Sequence, residues 1–227
     1  GSGVNYPLLG PTQWPDDPAF KRHVSQYYQH LKAIGHQLFR CFALALEQKE
    51  DFFDVHIQHA PSQLRLIHYP YNPQATDAEG IGAHTDYECF TLLLPTAPGL
   101  QVLTKQGEWI DIPLLDENTL VMNIGDMMEI LSNGKYLATK HRVKKVQQER
   151  YSFPLFFSCD YDYVIQPINT NEPPKYAPLA GGEHLFNQTA QTFHYLKQRV
   201  ASGELVLENA VPLYSFGLTE SNMEYTP

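Results

Sequence analysis

Long hydrophobic runs and basic residues are scarce in this sequence, and each scarcity excludes a class of protein. No apolar stretch approaches the roughly 20 residues that cross a bilayer, and no charged-then-apolar signal opens the chain. The 16 Lys and Arg residues are outnumbered by 25 Asp and Glu residues, so the formal net charge is -9. This balance disfavours nucleic acid and anionic membranes as partners and leaves a small molecule as the expected one.

Cysteine is also scarce. Cys41, Cys89 and Cys159 are odd in number and lack the spacing of a metal site, so we expect no disulfide framework. A reducing compartment fits this usage, and the sequence therefore predicts a cytoplasmic location. We expect each cysteine to act as a small buried hydrophobe rather than as a reactive thiol.

The 227 residues, of which 43% are hydrophobic, predict one domain with a sizeable core. Residues 1-15 read as an irregular lead-in whose opening Gly1-Ser2-Gly3 resembles a linker. We expect the domain to occupy residues 16-203. Residues 204-227 read as a tail to which the sequence assigns no function.

Helices are expected at both ends of this domain, within residues 16-57 and over about 182-200. Asp16-Asp17-Pro18 has the carboxylates and the proline of a helix start. A long amphipathic helix to about Glu47 follows from apolar residues at steps of three and four, namely Phe20, Val24, Tyr27, Tyr28, Leu31, Ile34, Leu38, Phe42 and Leu46. A short second helix is predicted from Glu50 to Ile57.

The middle of the chain, about 63-166, changes to short β-like runs separated by Pro, Gly and Asn. The runs are 63–69, 81–86, 90–94, 100–103, 109–112, 119–123, 139–146 and 151–157. Many short strands at this spacing predict a sandwich or barrel, so the fold class is α+β by content.

A candidate metal site begins at His84-Thr85-Asp86. In an extended chain alternate side chains share a face, so the imidazole and the carboxylate would point the same way. Two His and one carboxylate form the facial site of non-haem Fe(II) oxygenases, and His141 is the expected third ligand. A bare His-x-Asp also occurs by chance in surface turns, and that interpretation stays open for the motif taken alone.

A second period-two pair, Arg150 and Ser152, lies nine residues after His141. A guanidinium beside a hydroxyl is suited to hold a carboxylate, which Arg binds bidentately. An exposed surface arginine is the alternative, but the apolar residues that follow, from Phe153 to Phe157, predict a buried strand.

These motifs resemble, in identity and order, the isopenicillin N synthase-like branch of the Fe(II)/2-oxoglutarate-dependent oxygenases. The resemblance covers about residues 60 to 185, and such an ordered set is more specific than any one motif. The matching segments are Arg65-Leu66-Ile67-His68-Tyr69-Pro70, His84-Thr85-Asp86, Gly125-Asp126, Ser132-Asn133-Gly134, His141-Arg142-Val143 and Arg150-Tyr151-Ser152, with a weaker continuation through Tyr176-Ala177-Pro178 and Gly182-Glu183.

The resemblance implies a double-stranded β-helix, or jelly roll, with the long N-terminal helix packed on one sheet. It implies Fe(II) held by His84, Asp86 and His141, with O2 as the oxidant. The far carboxylate of the cosubstrate 2-oxoglutarate would meet Arg150 and Ser152, with Tyr69 adding a hydroxyl. The implied reaction hydroxylates or desaturates a small molecule and releases succinate and CO2.

Three residues are candidates for the substrate side of the pocket. Ile67 replaces an Asn of many plant-type members, and Arg65, on the same alternating face, either compensates for that change or lies along the sheet edge. Glu88 either selects an amine-bearing substrate or is a solvated loop carboxylate. Phe156 matches a family position that lines the pocket, and it also fits an ordinary core aromatic.

Two other functions stay open. Oxidases of the isopenicillin N synthase and aminocyclopropanecarboxylate oxidase type share these motifs but do not use 2-oxoglutarate. A jelly-roll fragment without turnover is the third interpretation, because an amino-terminal region typical of the family is absent here. We expect that absence to expose apolar surface and to favour a dimer or lower stability, although the sequence leaves monomer and dimer undecided.

Overall fold

Four α-helices and eleven short strands make up the described part of the chain. The computed structural model describes residues 6, 9–71, 73, 79–144, 148–168 and 172–207. The helices are α1 (Pro18–Ala45), α2 (Asp126–Leu131), α3 (Gly181–Thr192) and α4 (His194–Ala201). The strands are β1 (Gln63–Leu64), β2 (Ile67–Tyr69), β3 (Glu79–His84), β4 (Phe90–Pro95), β5 (Leu100–Leu103), β6 (Trp109–Asp111), β7 (Val121–Ile124), β8 (His141–Lys144), β9 (Arg150–Phe157), β10 (Val164–Ile165) and β11 (Leu179–Ala180).

Helix α1 begins and faces the core much as its sequence predicts. The Asp17 carboxylate accepts hydrogen bonds from the backbone N–H groups of Ala19 and Phe20, which have no partner inside the helix. One stripe is buried, consisting of Leu31, Gly35, Phe39, Phe42 and Ala43. Two residues of the predicted apolar stripe lie outside this buried face, since Phe20 and Ile34 are 39% and 42% exposed.

Two helix predictions need correction. The expected second helix over residues 50–57 is only a set of turns with a three-residue 3-10 segment at Asp54–His56, although Phe53 and Ile57 are buried. The expected C-terminal helix is two helices, because Phe193 has an extended backbone (φ -79, ψ 129) and ends α3 where α4 begins.

The strands form two main antiparallel sheets. One has the order β1-β9-β4-β7, with β2 also paired to β9, and the other has the order β3-β8-β5-β6. Helix α1 packs on the first sheet through β9. This is the arrangement expected of the predicted double-stranded β-helix with a helix on one sheet.

The predicted strand bounds shift in several places. The run over 63–69 splits into β1 and β2, and β3 ends at His84, so Asp86 lies beyond the strand. The run over 139–146 appears as His141–Lys144, and its residues 145 and 146 lie outside the described residues. Most of the predicted tail, 208–227, and residues 1–5, 7 and 8 of the predicted lead-in also lie outside them.

Aromatic rings fill the space between α1 and the first sheet. Phe90 and Phe157 stack with centroids 4.8 Å apart, and Phe39 of α1 meets Phe90 edge-on at 4.9 Å. Each of these three rings is at most 3% exposed. Rings in these geometries add to the free energy gained from burial.

The cysteine prediction holds for two of the three thiols. Cys89 and Cys159 are buried with their Sγ atoms 3.7 Å apart, and no disulfide joins them. The prediction is wrong for Cys41, which is exposed on α1. Among the described helices, none combines the length and the apolar character that crossing a membrane requires.

A substitution at Gly35 tests the packing of α1 on β9. A Cβ atom there would lie 2.0 Å from a ring atom of Phe157, which is held by Phe39 and Phe90. Helix propensity alone predicts that Gly35→Ala gains about 1 kcal/mol. We expect the cost of overpacking to exceed this gain, so that the free energy of unfolding falls by about 1–3 kcal/mol.

Thermal unfolding followed by circular dichroism measures this effect. Gly10→Ala is the matched control, because a Cβ at Gly10 meets nothing within 4 Å. An unfolding midpoint of Gly35→Ala equal to or above that of the unchanged chain would contradict the packing described.

Candidate metal centre

The two histidines of the predicted site come together by strand register. His84 ends β3 and His141 opens β8, and the two residues are directly opposed partners in the antiparallel ladder. Directly opposed residues project to the same face of a sheet. Their ring centroids are 4.4 Å apart.

Backbone carbonyls fix the orientation of both rings. The Nδ1 atom of His84 lies 2.7 Å from the Gly82 oxygen, and Nδ1 of His141 lies 2.8 Å from the Thr139 oxygen. Because a carbonyl only accepts, each Nδ1 carries a proton, and the neutral tautomer of each ring has its lone pair on Nε2. This is the state in which histidine binds a metal through Nε2.

The two oxygen atoms of the Asp86 carboxylate have different neighbours. Its Oδ2 accepts hydrogen bonds from Thr91 Oγ1 at 2.5 Å and from Asn123 Nδ2 at 2.8 Å. Its Oδ1 lies 3.6 Å from Nε2 of His84 and 3.6 Å from Nε2 of His141. One oxygen therefore fixes the side chain and the other faces both imidazoles.

Sequence analysis missed these two supporting residues. Thr91 and Asn123 are cross-strand partners on β4 and β7, and their pairing is visible only in the folded sheet. The available signal was a polar residue within each apolar run, Phe90-Thr91-Leu92 and Met122-Asn123-Ile124.

The three side chains fit a divalent metal of the Fe(II) type. Their ligand atoms all lie within 4.8 Å of one another. Burial chiefly lowers the pKa of His84, and the neighbouring His141 lowers it further, so the neutral form that ligates a metal is favoured. Two imidazoles and one carboxylate form the donor set of non-haem Fe(II) centres with open positions.

The Gly125-Asp126 motif holds the loop that carries Asp86. Backbone N–H groups at the start of α2 donate to carbonyl oxygens of this loop, from Asp126 to Asp86 at 2.8 Å and from Met127 to Glu88 at 3.1 Å. A Cβ on Gly125 would lie 2.2 Å from the Glu88 oxygen, so only glycine permits this approach.

Asp126 is buried at the start of α2 and is not the N-cap of this helix. Gly125 is the N-cap of α2, while the Asp126 side chain is 2% exposed and its carboxylate lies 3.9 Å from His184. Burial raises the pKa of Asp126. Asn133 does lie in a turn, with φ 52, and its side chain holds the 173–175 segment through Pro173 and Lys175.

Arg150 is a buried cation at the start of β9. It is 0% exposed, its Nε donates to the Ala97 oxygen at 3.1 Å, and its guanidinium lies 4.6 Å from the centroid of the Tyr69 ring. Both terminal nitrogens are buried and have no hydrogen-bond partner among the described residues. The surface-arginine alternative is therefore wrong.

The predicted neighbours of Arg150 share its surroundings. Arg150 and Ser152 are buried on β9 while Tyr151 between them is exposed, as period-two geometry requires. Tyr69 of β2 is the register partner of Arg150, and Ile67 is the partner of Ser152. A planar guanidinium with two free N–H edges and a nearby hydroxyl fits a carboxylate group.

The three candidate substrate residues occupy different environments. The Arg65 guanidinium lies over the rings of Phe156 and Phe193, at 4.9 Å and 5.1 Å from their centroids. Phe156 is partly buried on β9. The interpretation of Glu88 as a solvated loop carboxylate is wrong, because this residue is only 4% exposed.

Burial leaves Glu88 in an unusual electrostatic state. Burial chiefly, and then the negative charge of Asp86, raise the pKa of Glu88 to about 8, while its own backbone N–H and the charge of Arg65 oppose this rise.

His68, for which the sequence suggests no role, contacts Glu149 and stacks on Tyr151 on the exposed side of the sheet.

Comparison with known proteins also points to non-haem Fe(II) oxygenases. Residues 60–158 match the sequence profile of the 2OG-Fe(II) oxygenase superfamily. The chain is 38% identical over 185 residues to the 2-oxoglutarate-Fe(II) type oxidoreductase hxnY of Emericella nidulans, covering 75% of this chain and 52% of that protein. It is 35% identical over 210 residues to an isopenicillin N synthase of Streptomyces griseus, covering 86% of this chain and 60% of that protein.

A solved structure shares the fold. The chain superimposes on a full-length Neurospora crassa protein in complex with alpha-KG and thymine, with a TM-score of 0.70 at 28% identity, covering 81% of this chain and 60% of that chain. Here alpha-KG is another abbreviation of 2-oxoglutarate. The predicted jelly-roll fold is thereby confirmed. The chain spans about half to three fifths of the length of these relatives.

Removing the central carboxylate tests the metal centre. We expect Asp86→Ala to retain almost no iron, because two imidazoles without an anionic ligand hold Fe(II) weakly. Asn123→Ala removes only a group that orients Asp86, and we expect it to weaken Fe(II) binding about 10- to 100-fold. Iron per chain after anaerobic loading and gel filtration measures both effects.

Asp111→Ala is the matched control, because Asp111 is exposed on β6 and pairs with Lys144. Its iron content should equal that of the unchanged chain. Unaltered iron in Asp86→Ala would refute the proposed ligand set.

Proposed function

We propose that this chain, which belongs to the 2OG-Fe(II) oxygenase superfamily, is the catalytic part of an Fe(II)- and 2-oxoglutarate-dependent dioxygenase. The proposed reaction hydroxylates or desaturates a small molecule and releases succinate and CO2. The observation that carries the proposal is the fully buried Arg150, whose two terminal nitrogens have no partner among the described residues. A buried cation with free donors needs an anion, and a dicarboxylic cosubstrate supplies one.

His84, Asp86 and His141 would hold the Fe(II). When bound, the metal and 2-oxoglutarate supply the activation of O2 and the oxidation of an unactivated C–H bond. The protein's part is to hold and orient these groups. Thr91 and Asn123 keep Oδ2 of Asp86 occupied, so that Oδ1 alone is presented toward the two imidazoles.

Arg150, Ser152 and Tyr69 would hold the far carboxylate of 2-oxoglutarate. The Arg150 side chain cannot swing away, because Nε is fixed on the Ala97 oxygen and the Tyr69 ring covers the guanidinium. Burial lowers the pKa of Arg150, but guanidinium groups stay charged in proteins, so the site offers a permanent cation in a dry environment. A pre-oriented donor pair costs little entropy when the carboxylate binds.

The substrate side is proposed to include Arg65, Glu88 and Phe156. Nucleic acid and membranes are not among the proposed partners, since the chain carries an excess of acidic residues. The cysteine usage favours a cytoplasmic location. The proposal applies to a monomer and to a dimer alike.

An oxidase that does not use 2-oxoglutarate is the second candidate. The likeness to an isopenicillin N synthase favours it, since that relative is 35% identical over 210 residues. In such an oxidase Arg150 and Ser152 would bind a carboxylate of the substrate itself. A chain that binds metal without turnover is the third candidate.

Anaerobic titration tests the first candidate. We expect 2-oxoglutarate added to the Fe(II)-loaded chain to produce a weak visible metal-to-ligand charge-transfer band. Arg150→Ala should weaken 2-oxoglutarate binding at least about 10-fold, because a charge-assisted, buried contact is lost. Arg199→Ala is the control, since that arginine is half-exposed on α4 and pairs with Glu204.

The result separates the three candidates. A band together with succinate release that depends on added 2-oxoglutarate supports the dioxygenase. Iron binding without a band contradicts it and favours the oxidase or the chain without turnover. Equal affinity in Arg150→Ala and Arg199→Ala would refute the role given to Arg150.

A further inference from the structure

A cavity of about 650 Å³ lies where the lead-in and α1 approach residues 60–66, which include β1, and α3. Its walls combine apolar groups with two charged ones, and they include Trp14, Tyr28, Leu64, Arg65, Glu88 and Leu185. We call this space the Glu88 cavity. Its volume is in the range of sites for small molecules.

The Glu88 cavity and the candidate metal centre share the loop that carries Asp86 and Glu88. Glu88 lies two residues beyond Asp86, and Phe156 under Arg65 shares β9 with Arg150 and Ser152.

The Glu88 carboxyl group forms no ion pair with any of the described residues. It is 4% exposed, and among the described residues no side chain donates a hydrogen bond to it or forms an ion pair with it. A buried carboxylate is costly unless a positive charge or several donors compensate. Its position on the cavity wall allows that compensation to come from a ligand.

Arg65 lies on the same wall and does not neutralise Glu88. Its guanidinium is held between the rings of Phe156 and Phe193, and its Nε donates to Gln63 Oε1 at 3.1 Å. This fixed positive charge repels a ligand that is only a cation. A ligand that is only an anion would leave the buried Glu88 carboxyl without a cationic partner.

We propose that the Glu88 cavity binds a zwitterionic substrate of the amino acid class, with its cationic nitrogen against Glu88 and its carboxylate toward Arg65. This inference rests on the proposed function and names the substrate class of the same site. A ligand with both charges provides a partner for Glu88 and for Arg65. A ligand that is only a cation is repelled by Arg65, and one that is only an anion leaves Glu88 without a partner.

A panel of probes of similar size tests the proposal. The chain loaded anaerobically with Fe(II) and 2-oxoglutarate is titrated by calorimetry with the common L-amino acids, L-norleucine and 6-aminohexanoate. The same protein is titrated with hexanoate, pentylamine and hexanamide, which lack the amine, the carboxylate or both charges. We expect at least one zwitterion to bind about 10-fold more tightly than any of these three.

Two substitutions test which side chain interacts with each charge of the ligand. Glu88→Gln keeps the shape of the side chain, and it should weaken binding of the preferred zwitterion at least about 10-fold. Arg65→Gln should weaken the same zwitterion and improve pentylamine, because the repelling charge is gone. Glu108→Gln, an exposed carboxylate in a turn, is the matched control and should leave every dissociation constant unchanged.

The outcomes are distinguishable. If no charge-transfer band forms before any probe is added, the proposed function fails. If the band forms but no zwitterion binds, or hexanoate, pentylamine or hexanamide binds as tightly, the zwitterion proposal is wrong. It is also wrong if Glu88→Gln, checked as folded by circular dichroism, binds the preferred zwitterion as tightly as the Glu108→Gln control. The probe panel on the unchanged chain decides the matter even if a variant fails to fold.

Discussion

The antiparallel pairing of β4 with β9 connects the hydrophobic core to the candidate site. It runs through six register pairs from Phe90↔Phe157 to Pro95↔Ser152. At one end its aromatic residues pack against α1, and at the other it fixes Arg150 and Ser152. The free edge of β9 receives β1 and β2, and the free edge of β4 receives β7. A slip of one residue in this ladder would exchange the buried and exposed faces of β9.

The two ends of this ladder differ in the polarity of the groups that they bury. Around Phe39, Phe90 and Phe157 the packing is apolar, and burial lowers the free energy of the folded chain. Around the metal centre the buried groups are Asp86, Glu88, Asp126 and Arg150, each at most 5% exposed. Asp86 is hydrogen-bonded to Thr91 and Asn123, whereas both terminal nitrogens of Arg150 have no partner among the described residues. Buried polar atoms in folded proteins almost always have partners, so such nitrogens indicate a place for a ligand. The free energy gained by burying the aromatic core offsets the cost of burying polar groups at the site.

Several sequence-based interpretations failed for one reason: they judged a residue by its neighbours in the chain. Glu88 looked like a loop carboxylate, but the start of α2 closes over its loop through backbone hydrogen bonds to Asp86 and Glu88. Cys41 looked like a buried hydrophobe but lies on the exposed side of α1. Residues 50–57 bury Phe53 and Ile57 through turns, because tertiary packing can bury side chains without a helix.

Periodicity and ordered motifs are local properties of the chain, and they were enough to predict the class of fold and to single out the three candidate metal ligands and the Arg150–Ser152 pair. What orients those groups became visible only in the folded chain. The support of Asp86 by Thr91 and Asn123, the cover of Arg150 by Tyr69, and the confinement of Glu88 beside Arg65 all join separate elements of the fold. Such contacts depend on strand register and helix packing, which no local pattern of residues encodes.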